Sequence, residues 1–164
     1  MLQGFPPVVA ADTHTLILGS FPGEASLAAT QYYAHPRNQF WRLLGEVLER
    51  PLAELPYDER LAVLARRRIG LWDIITGCER RGSLDGNIRK ASLSQFEWLA
   101  QHAPALSVVA MNGQKAGTAA PRLAELGYTT LVLPSSSPAY TLAYAEKLAG
   151  WQALAPHVRN EQPR

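Results

Sequence analysis

Cysteine is almost missing from this 164-residue chain: Cys78 stands alone. One thiol makes no internal disulfide, and a cysteine-held iron–sulfur cluster needs about four. His14, His35, His102 and His157 are scattered, without the spacing of zinc ligands. These absences read as a reducing cytoplasm and no metal. No apolar run approaches the roughly 18 residues of a membrane span. The N-terminus, MLQGFPPVVAADTHT, has no basic region leading into an apolar stretch, so no signal peptide is expected. Lysine is scarce, since 13 of the 16 basic residues are arginine. Arginine suits bidentate phosphate contacts, but a coding bias toward arginine gives the same count. The formal net charge of +2 does not by itself argue for nucleic acid. Also missing are a G-x-x-x-x-G-K-[ST] phosphate loop, a G-x-G-x-x-G turn after the first strand, and a G-x-S-x-G nucleophile elbow. No obvious pair of carboxylates marks a sugar hydrolase of the usual kind.

What is there describes a folded domain. The length suits one domain spanning 1–164, with its core over about 5–154 and a frayed tail after Pro156. Hydrophobic residues at 47% and charged residues at 18% fit a globular chain with a substantial core. Residues 1–13 read as an irregular lead-in, because Phe5-Pro6-Pro7 cannot be helical, and they suit packing at a sheet edge. Strands are expected at about 14–18, 69–75, 106–111 and 129–133. Helices are expected at about 39–49, from an N-cap at Asp58 through Arg68, at 93–102, at 114–126 with Pro121 as a kink or break, and at 142–154. The segments 19–37 and 76–92 read as long polar loops. Strands alternate with helices and are solidly apolar. That pattern predicts an α/β fold with a short, mainly parallel four-stranded sheet covered on both faces.

Each strand hands over to a polar segment: GSFPG, then WDIITGCERRGS, then MNGQKA, then PSSSPAY. In a parallel sheet all four lie on one rim, where open α/β sheets bind ligands. The densest stretch runs from Thr15 to Trp41. It brings Tyr32, Tyr33, His35, Arg37 and Asn38 to the mouth of the first strand, just before a helix pattern of Phe40, Leu43, Leu44, Val47 and Leu48.

The ordered set GSFPG, YYAHPRNQFW, GLWDIITGCERRGSLD, MNGQKA and LPSSSPAY resembles the uracil-DNA glycosylase superfamily. It is most similar to the branch of hypoxanthine-DNA (deoxyinosine) glycosylases. The resemblance covers roughly residues 5–154. It implies a three-layer α/β/α sandwich and a monomeric, monofunctional hydrolase with no metal or other cofactor. Such an enzyme flips a damaged base out of DNA and hydrolyses its N-glycosidic bond, leaving an abasic site. The chemistry asks for a pocket that stacks the base, stabilises negative charge as the base departs, and places a water beneath the sugar carbon.

Residue by residue, the resemblance implies that Tyr33 stacks on the base; a tyrosine packed on its own loop is the alternative. It makes Asn38 the catalytic residue, its side-chain carbonyl orienting a water, although asparagine at that point also suits a helix cap. Tyr32 reads as structural. Phe21 stands where uracil-specific relatives carry a catalytic aspartate or asparagine. It cannot orient water, which argues against the ordinary uracil mechanism and leaves Phe21 and Ser20, with the backbone N–H groups through Gly23, to line the base. Asp73 lies near the base-reading position, with a salt bridge to an arginine as the alternative. Asn112 lines the pocket or forms a turn. Ser135, Ser136 and Ser137 offer hydroxyls and N–H groups to phosphates. Pro138, Ala139 and Tyr140 suit a wedge into the gap left by the base, though relatives often carry asparagine where Tyr140 stands. Arg37, Arg80, Arg81, Arg89 and Lys90 are phosphate-contact candidates or a solvated face. His35 braces its loop or serves the site.

Hypoxanthine and uracil both present a carbonyl beside a ring N–H, where adenine and cytosine present an amino group. A pocket built for that edge rejects the normal bases. The expected substrate is therefore DNA carrying a deaminated base, hypoxanthine first. Uracil or mismatch excision, or a non-catalytic nucleic-acid-binding module on the same fold, are the alternatives.

Overall fold

The computed structural model describes residues 1–158. In chain order the elements are β1 (Leu2–Gln3), β2 (Thr15–Gly19), α1 (Glu24–Ala29), α2 (Phe40–Leu48), α3 (Tyr57–Arg66), β3 (Ile69–Asp73), β4 (Ile75–Glu79), β5 (Arg89–Leu93), α4 (Trp98–His102), β6 (Val108–Asn112), α5 (Gln114–Gly117), α6 (Ala120–Glu125), β7 (Thr129–Leu133) and α7 (Tyr144–Trp151). Strands β3-β2-β6-β7 form the expected four-stranded sheet, with every pairing parallel.

The pleat of this sheet sorts its residues into two cores. Ile17, Leu71 and Ala110 point to one side, against Phe40, Leu43 and Leu44 of α2, Leu64 of α3 and Trp151 of α7. Leu16, Leu18, Trp72, Val109 and Met111 point to the other, against Leu99 of α4, Ala116 of α5 and Leu123 of α6. Helices thus cover both faces, giving the three layers that solidly apolar strands call for. The fully buried Leu16, Ile17 and Leu18 each contribute about 1.5–3 kcal/mol of hydrophobic stabilisation.

Several expectations need correction. The lead-in is not wholly irregular: β1 pairs antiparallel with β4, and Val8 bridges Leu71 at the edge of the main sheet. The polar segment 76–92 is not a loop. The chain leaves the main sheet at Ile74, and β4 pairs antiparallel with β5 through two register shifts. Bulges and the charged, wholly exposed β5 hid this hairpin from the alternation rule. The long first loop contains the short helix α1. The helix before Arg68 is capped by Pro56, two residues ahead of the expected Asp58, which lies in its first turn. The helix expected over 93–102 shrinks to α4, because Leu93 still belongs to β5. The break expected at Pro121 is present: 114–126 divides into α5 and α6, and Pro121 sits in the first turn of α6 where its missing N–H costs nothing. Strand β7 is an edge strand, half exposed rather than covered. Residues 156–158 are held, not frayed: the Thr15 hydroxyl donates to the His157 carbonyl at 2.6 Å, and Val158 packs on the core. The remainder of the expected frayed tail lies outside the described residues.

Candidate active site

The carboxyl ends of the parallel strands share one rim, since Gly19 pairs with Asp73 and Asn112 with Leu133. From β2 the chain first moves to β3 on one side and later returns to β6 on the other. The crevice between β2 and β6 is the switch point where such sheets open a binding site. A cavity of about 640 Å³ lies there, of the size that takes a small organic ligand. Its walls include Ser20, Phe21, Tyr33, Asn38, Asp73, Asn112 and the whole segment Ser135–Tyr140. Of the candidates named from the sequence, Arg37, Arg80, Arg81, Arg89 and Lys90 are not part of the wall.

Tyr33 adopts a left-handed backbone, φ 57°, unusual for an aromatic residue. That turn lays its ring flat on Phe40, with centroids 3.7 Å apart and planes 10° apart. The hydroxyl end reaches over Gly19. A Cβ at Gly19 would lie 2.7 Å from Tyr33 Oη and 2.6 Å from Asp73 Oδ1, so only glycine lets the three meet. Tyr33 Oη and Asp73 Oδ2 are both buried without a hydrogen-bond partner. Burial, and then the Asp73 carboxylate, push the Tyr33 hydroxyl well above its ordinary range; the Asn112 side chain opposes this without closing a hydrogen bond.

Asp73 is only 4% exposed and has no arginine partner among the described residues, so the salt-bridge alternative does not hold. Burial, then the Asp85 carboxylate, raise it to about 7, while the Gly19 N–H pulls the other way. Tyr32 is indeed built in: its hydroxyl donates to the Pro6 carbonyl and its N–H to the Tyr57 hydroxyl.

Asn38, Asn112 and Ser136 form one knot. Ser136 is fully buried. Its N–H donates to Asn112 Oδ1 (2.9 Å), its Oγ accepts from Asn112 Nδ2 (2.8 Å), and its hydroxyl donates to Asn38 Oδ1 (2.8 Å). Its carbonyl accepts the Gln39 N–H. Ser136 is thus a structural pin, and its expected contact with phosphate is corrected: no polar atom is left for one.

The same knot corrects how Asn38 can act. Gln39, not Asn38, caps α2, but the Phe40 N–H donates to Asn38 Oδ1 at 3.0 Å. A backbone N–H can only donate, so this bond fixes which way the amide points. With Ser136 on the other lone pair, the carbonyl expected to orient water is occupied. The amide Nδ2 is the group left for a ligand.

The rest of the serine segment faces outward. Ser135 and Ser137 accept the N–H groups of Ser137 and Ala139, and Pro138, Ala139 and Tyr140 are exposed. Lys147, nearly fully buried, donates to the Ser137 carbonyl at 3.1 Å and places its Nζ 5.4 Å from the centre of the Tyr140 ring. Burial lowers its pKa. A lone lysine in an amphipathic helix gave no sequence signal for this support.

Across the cavity, the hairpin supplies Ser83, Leu84 and Asp85, which composition alone did not single out. Ser20 donates to Asp85 Oδ1 at 2.7 Å, and the Glu24 N–H donates to Ser83 Oγ at 2.9 Å. Arg80 turns inward: its Nε donates to Gly82, its Nη2 to Pro22, and its guanidinium lies 5.3 Å from the centre of the Phe21 ring. It is a strut between segments, not a phosphate contact. Phe21 itself is buried in the second core at the cavity wall. His35 accepts the Arg37 N–H on Nδ1, bracing its loop. Among the described residues, no group of three or more His, Cys, Asp or Glu is arranged to hold a metal ion, and no helix is long and apolar enough to cross a membrane.

Known proteins are similar to this chain over most of its length. A hypoxanthine DNA glycosylase of Methanosarcina barkeri is 44% identical over 149 residues, covering 91% of this chain and 94% of that protein. A second, from Methanosarcina acetivorans, is 39% identical over 94% of this chain and 98% of its own. The solution NMR structure of a Methanosarcina acetivorans protein assigned provisionally to the uracil DNA glycosylases superposes with a TM-score of 0.86, at 39% identity, over 94% of this chain and 96% of that one. The family model of the uracil DNA glycosylase superfamily matches residues 6–156, and the chain belongs to that superfamily.

Proposed function

We propose that this protein is a DNA glycosylase that hydrolyses the bond between deoxyribose and a flipped hypoxanthine. The observation that carries the reading is the cavity at the strand ends. It joins an aromatic face (Tyr33), unpartnered buried polar atoms (Tyr33 Oη and Asp73 Oδ2) and a pinned amide (Asn38) beside a partly exposed rim segment, Ser135–Tyr140. A base extruded from a stack needs those three things: a surface to lie on, groups for its edge, and a rim against the strand. Likeness to two relatives named hypoxanthine DNA glycosylases favours hypoxanthine over uracil.

In the reaction the N-glycosidic bond breaks with its electron pair leaving on the base. Water adds to the sugar carbon, and its proton ends on the released base. Phe21, buried in the second core, stands where uracil-specific relatives carry an aspartate or asparagine and cannot orient water, so attack by a strongly activated water is not the main source of rate. Stabilisation of the departing anion is. Asn38 Nδ2, held by the bonds on its carbonyl, donates toward that developing charge. Tyr33 stacks the base and Phe21 closes the apolar wall behind Ser20. Asn112 orients Asn38 through Ser136. Half-buried Ser135 and Ser137 and exposed Pro138, Ala139 and Tyr140 meet the strand, with Arg37 outside the cavity as a phosphate contact. All these residues belong to one chain, in keeping with a cytoplasmic monomer that needs no metal.

Base release from matched oligonucleotides carrying one deoxyinosine, one deoxyuridine or neither tests this, in metal-free buffer with alkali cleavage of the abasic product. Cleavage at deoxyinosine is expected. Cleavage only at deoxyuridine replaces the substrate, and binding without cleavage replaces the enzyme with a binding module.

A further inference from the structure

We infer that Asp73 reads the flipped base as a neutral carboxylic acid, its Oδ2–H donating to the base's carbonyl oxygen. The inference rests on the glycosylase reading and deepens it.

The geometry supplies the argument. Asp73 closes the end of β3 beside Gly19, and Oδ1 is the oxygen against Gly19. Oδ2 is buried and unpartnered, and Asp73 is part of the cavity wall. An ionised carboxylate held in this way is costly, because no cation faces it and no hydrogen bond reaches Oδ2 to repay its lost hydration. The groups that face it offer no relief. Gly19 gives one backbone N–H from β2. The hydroxyls of Tyr32 and Tyr33 come from the segment between α1 and α2, and burial keeps both firmly neutral. Asp85, from the hairpin, is itself acidic, and Glu24 and His35 stand elsewhere on the wall. The hairpin's inward cation, Arg80, bonds to Gly82 and Pro22 instead.

A neutral acid resolves the problem and fixes its own polarity. Oδ1 is the oxygen on the Gly19 side, where a backbone N–H favours an acceptor, so the neutral form keeps its carbonyl there and its proton on Oδ2. The cavity then sees a donor. A donor suits hypoxanthine and uracil, which present a carbonyl oxygen, and clashes with the amino groups of adenine and cytosine. An ionised Asp73 would reverse this choice, accepting from an amino group and repelling a carbonyl. The neutral form also meets the negative charge that gathers on the carbonyl oxygen as the base departs.

Two variants separate the possibilities. In Asp73→Asn the Gly19 N–H holds the amide oxygen on its own side and leaves Nδ2 as a donor at every pH, whereas Asp73→Ala has no donor. Single-turnover release from deoxyinosine is measured between about pH 5 and about pH 9. Wild type is expected to lose activity above about 7, approaching tenfold per pH unit. Asp73→Asn is expected to lack that step and to keep any step due to ionisation of the base itself; Asp73→Ala is expected to be slow throughout. A wild-type profile without the step, or the same step in Asp73→Asn, overturns the inference. Binding of free hypoxanthine and free adenine to the wild type, by calorimetry over the same range, serves as the second readout. Preference for hypoxanthine that falls as pH rises supports the inference, and a pH-independent ratio overturns it, even if Asp73→Asn fails to fold. Absence of base release at every pH defeats the glycosylase reading, and the binding ratio then decides the role of Asp73 alone.

Discussion

The two walls of the cavity are built in opposite ways. On one side, Asn38, Asn112 and Ser136 come from three distant segments and lock through short hydrogen bonds around a fully buried serine. Tyr33 stacks there on Phe40, a fully buried core residue. On the other side, the β4–β5 hairpin is largely exposed and reaches the first strand's loop through side-chain ties: Ser20 to Asp85, Ser83 to Glu24, and Arg80 to Pro22. The difference teaches where rigidity is placed. A buried hydrogen-bonded knot has one arrangement, whereas an exposed hairpin tip held by side-chain bonds opens at low cost. The groups proposed to act on the base stand on the first wall, and the second frames the mouth. Asp73 lies at the seam, between Tyr33 and the acidic tip at Asp85.

The strongest attack on this contrast is Asn38→Ala. It removes the pinned amide and is expected to slow base release by about 10²–10³-fold while DNA binding persists. Activity near wild type would reduce Asn38 to its bond with the Phe40 N–H. Next comes Ser136→Ala, which leaves Asn38 and Asn112 each short of a bond. Thermal unfolding should show a loss of about 1–3 kcal/mol, with base release falling in parallel because Asn38 is no longer held. An unchanged melting temperature would show that the knot contributes nothing. Asp73→Asn follows, and its stability effect has a definite sign. The folded state raises Asp73 from 3.8 to about 7. Between those values the folded protein holds a proton that the unfolded chain has released, so wild-type stability declines as pH rises through this window and stays reduced above it. Denaturant titrations should therefore show Asp73→Asn gaining on wild type from pH 4 to pH 7, relative to their difference at lower pH. A constant difference would mean that Asp73 titrates normally.

The contrast also tracks what could be read from the sequence. The rigid wall was largely legible. Apolar runs at Leu16–Leu18 and Val108–Met111 announce buried parallel strands, and their carboxyl ends must share a rim, so Tyr33, Asn38, Asp73 and Asn112 converge by topology alone. The polarity of each group was not legible. Whether Asn38 offers its carbonyl or its amide depends on a hydroxyl 98 residues away, and Ser136 looks no different from Ser135 or Ser137 until burial separates them. The loose wall was misread as a loop, because its strands carry glycine, bulges and charge instead of alternation. Lys147 under the serine segment gives no signal in the sequence, and Arg80 behind Phe21 reads from sequence as a phosphate contact or a solvated face, for the same reason: only folding turns them inward.

The smallest expected effect is the most discriminating for the second wall. Ser20→Ala removes the hydroxyl bond to Asp85 and leaves the backbone of Ser20, whose carbonyl still accepts the Ile75 N–H. The lost bond is solvent-exposed, so water replaces it and stability should change by less than about 0.5 kcal/mol. Base release should shift only a few-fold. A fall as large as that of Ser136→Ala would mean that the hairpin tip is held as tightly as the serine knot, and the division between the walls would fail. A small fall that grows with pH carries a different meaning. Asp85, freed from Ser20, would change its push on Asp73, and the seam between the walls would then be an electrostatic one.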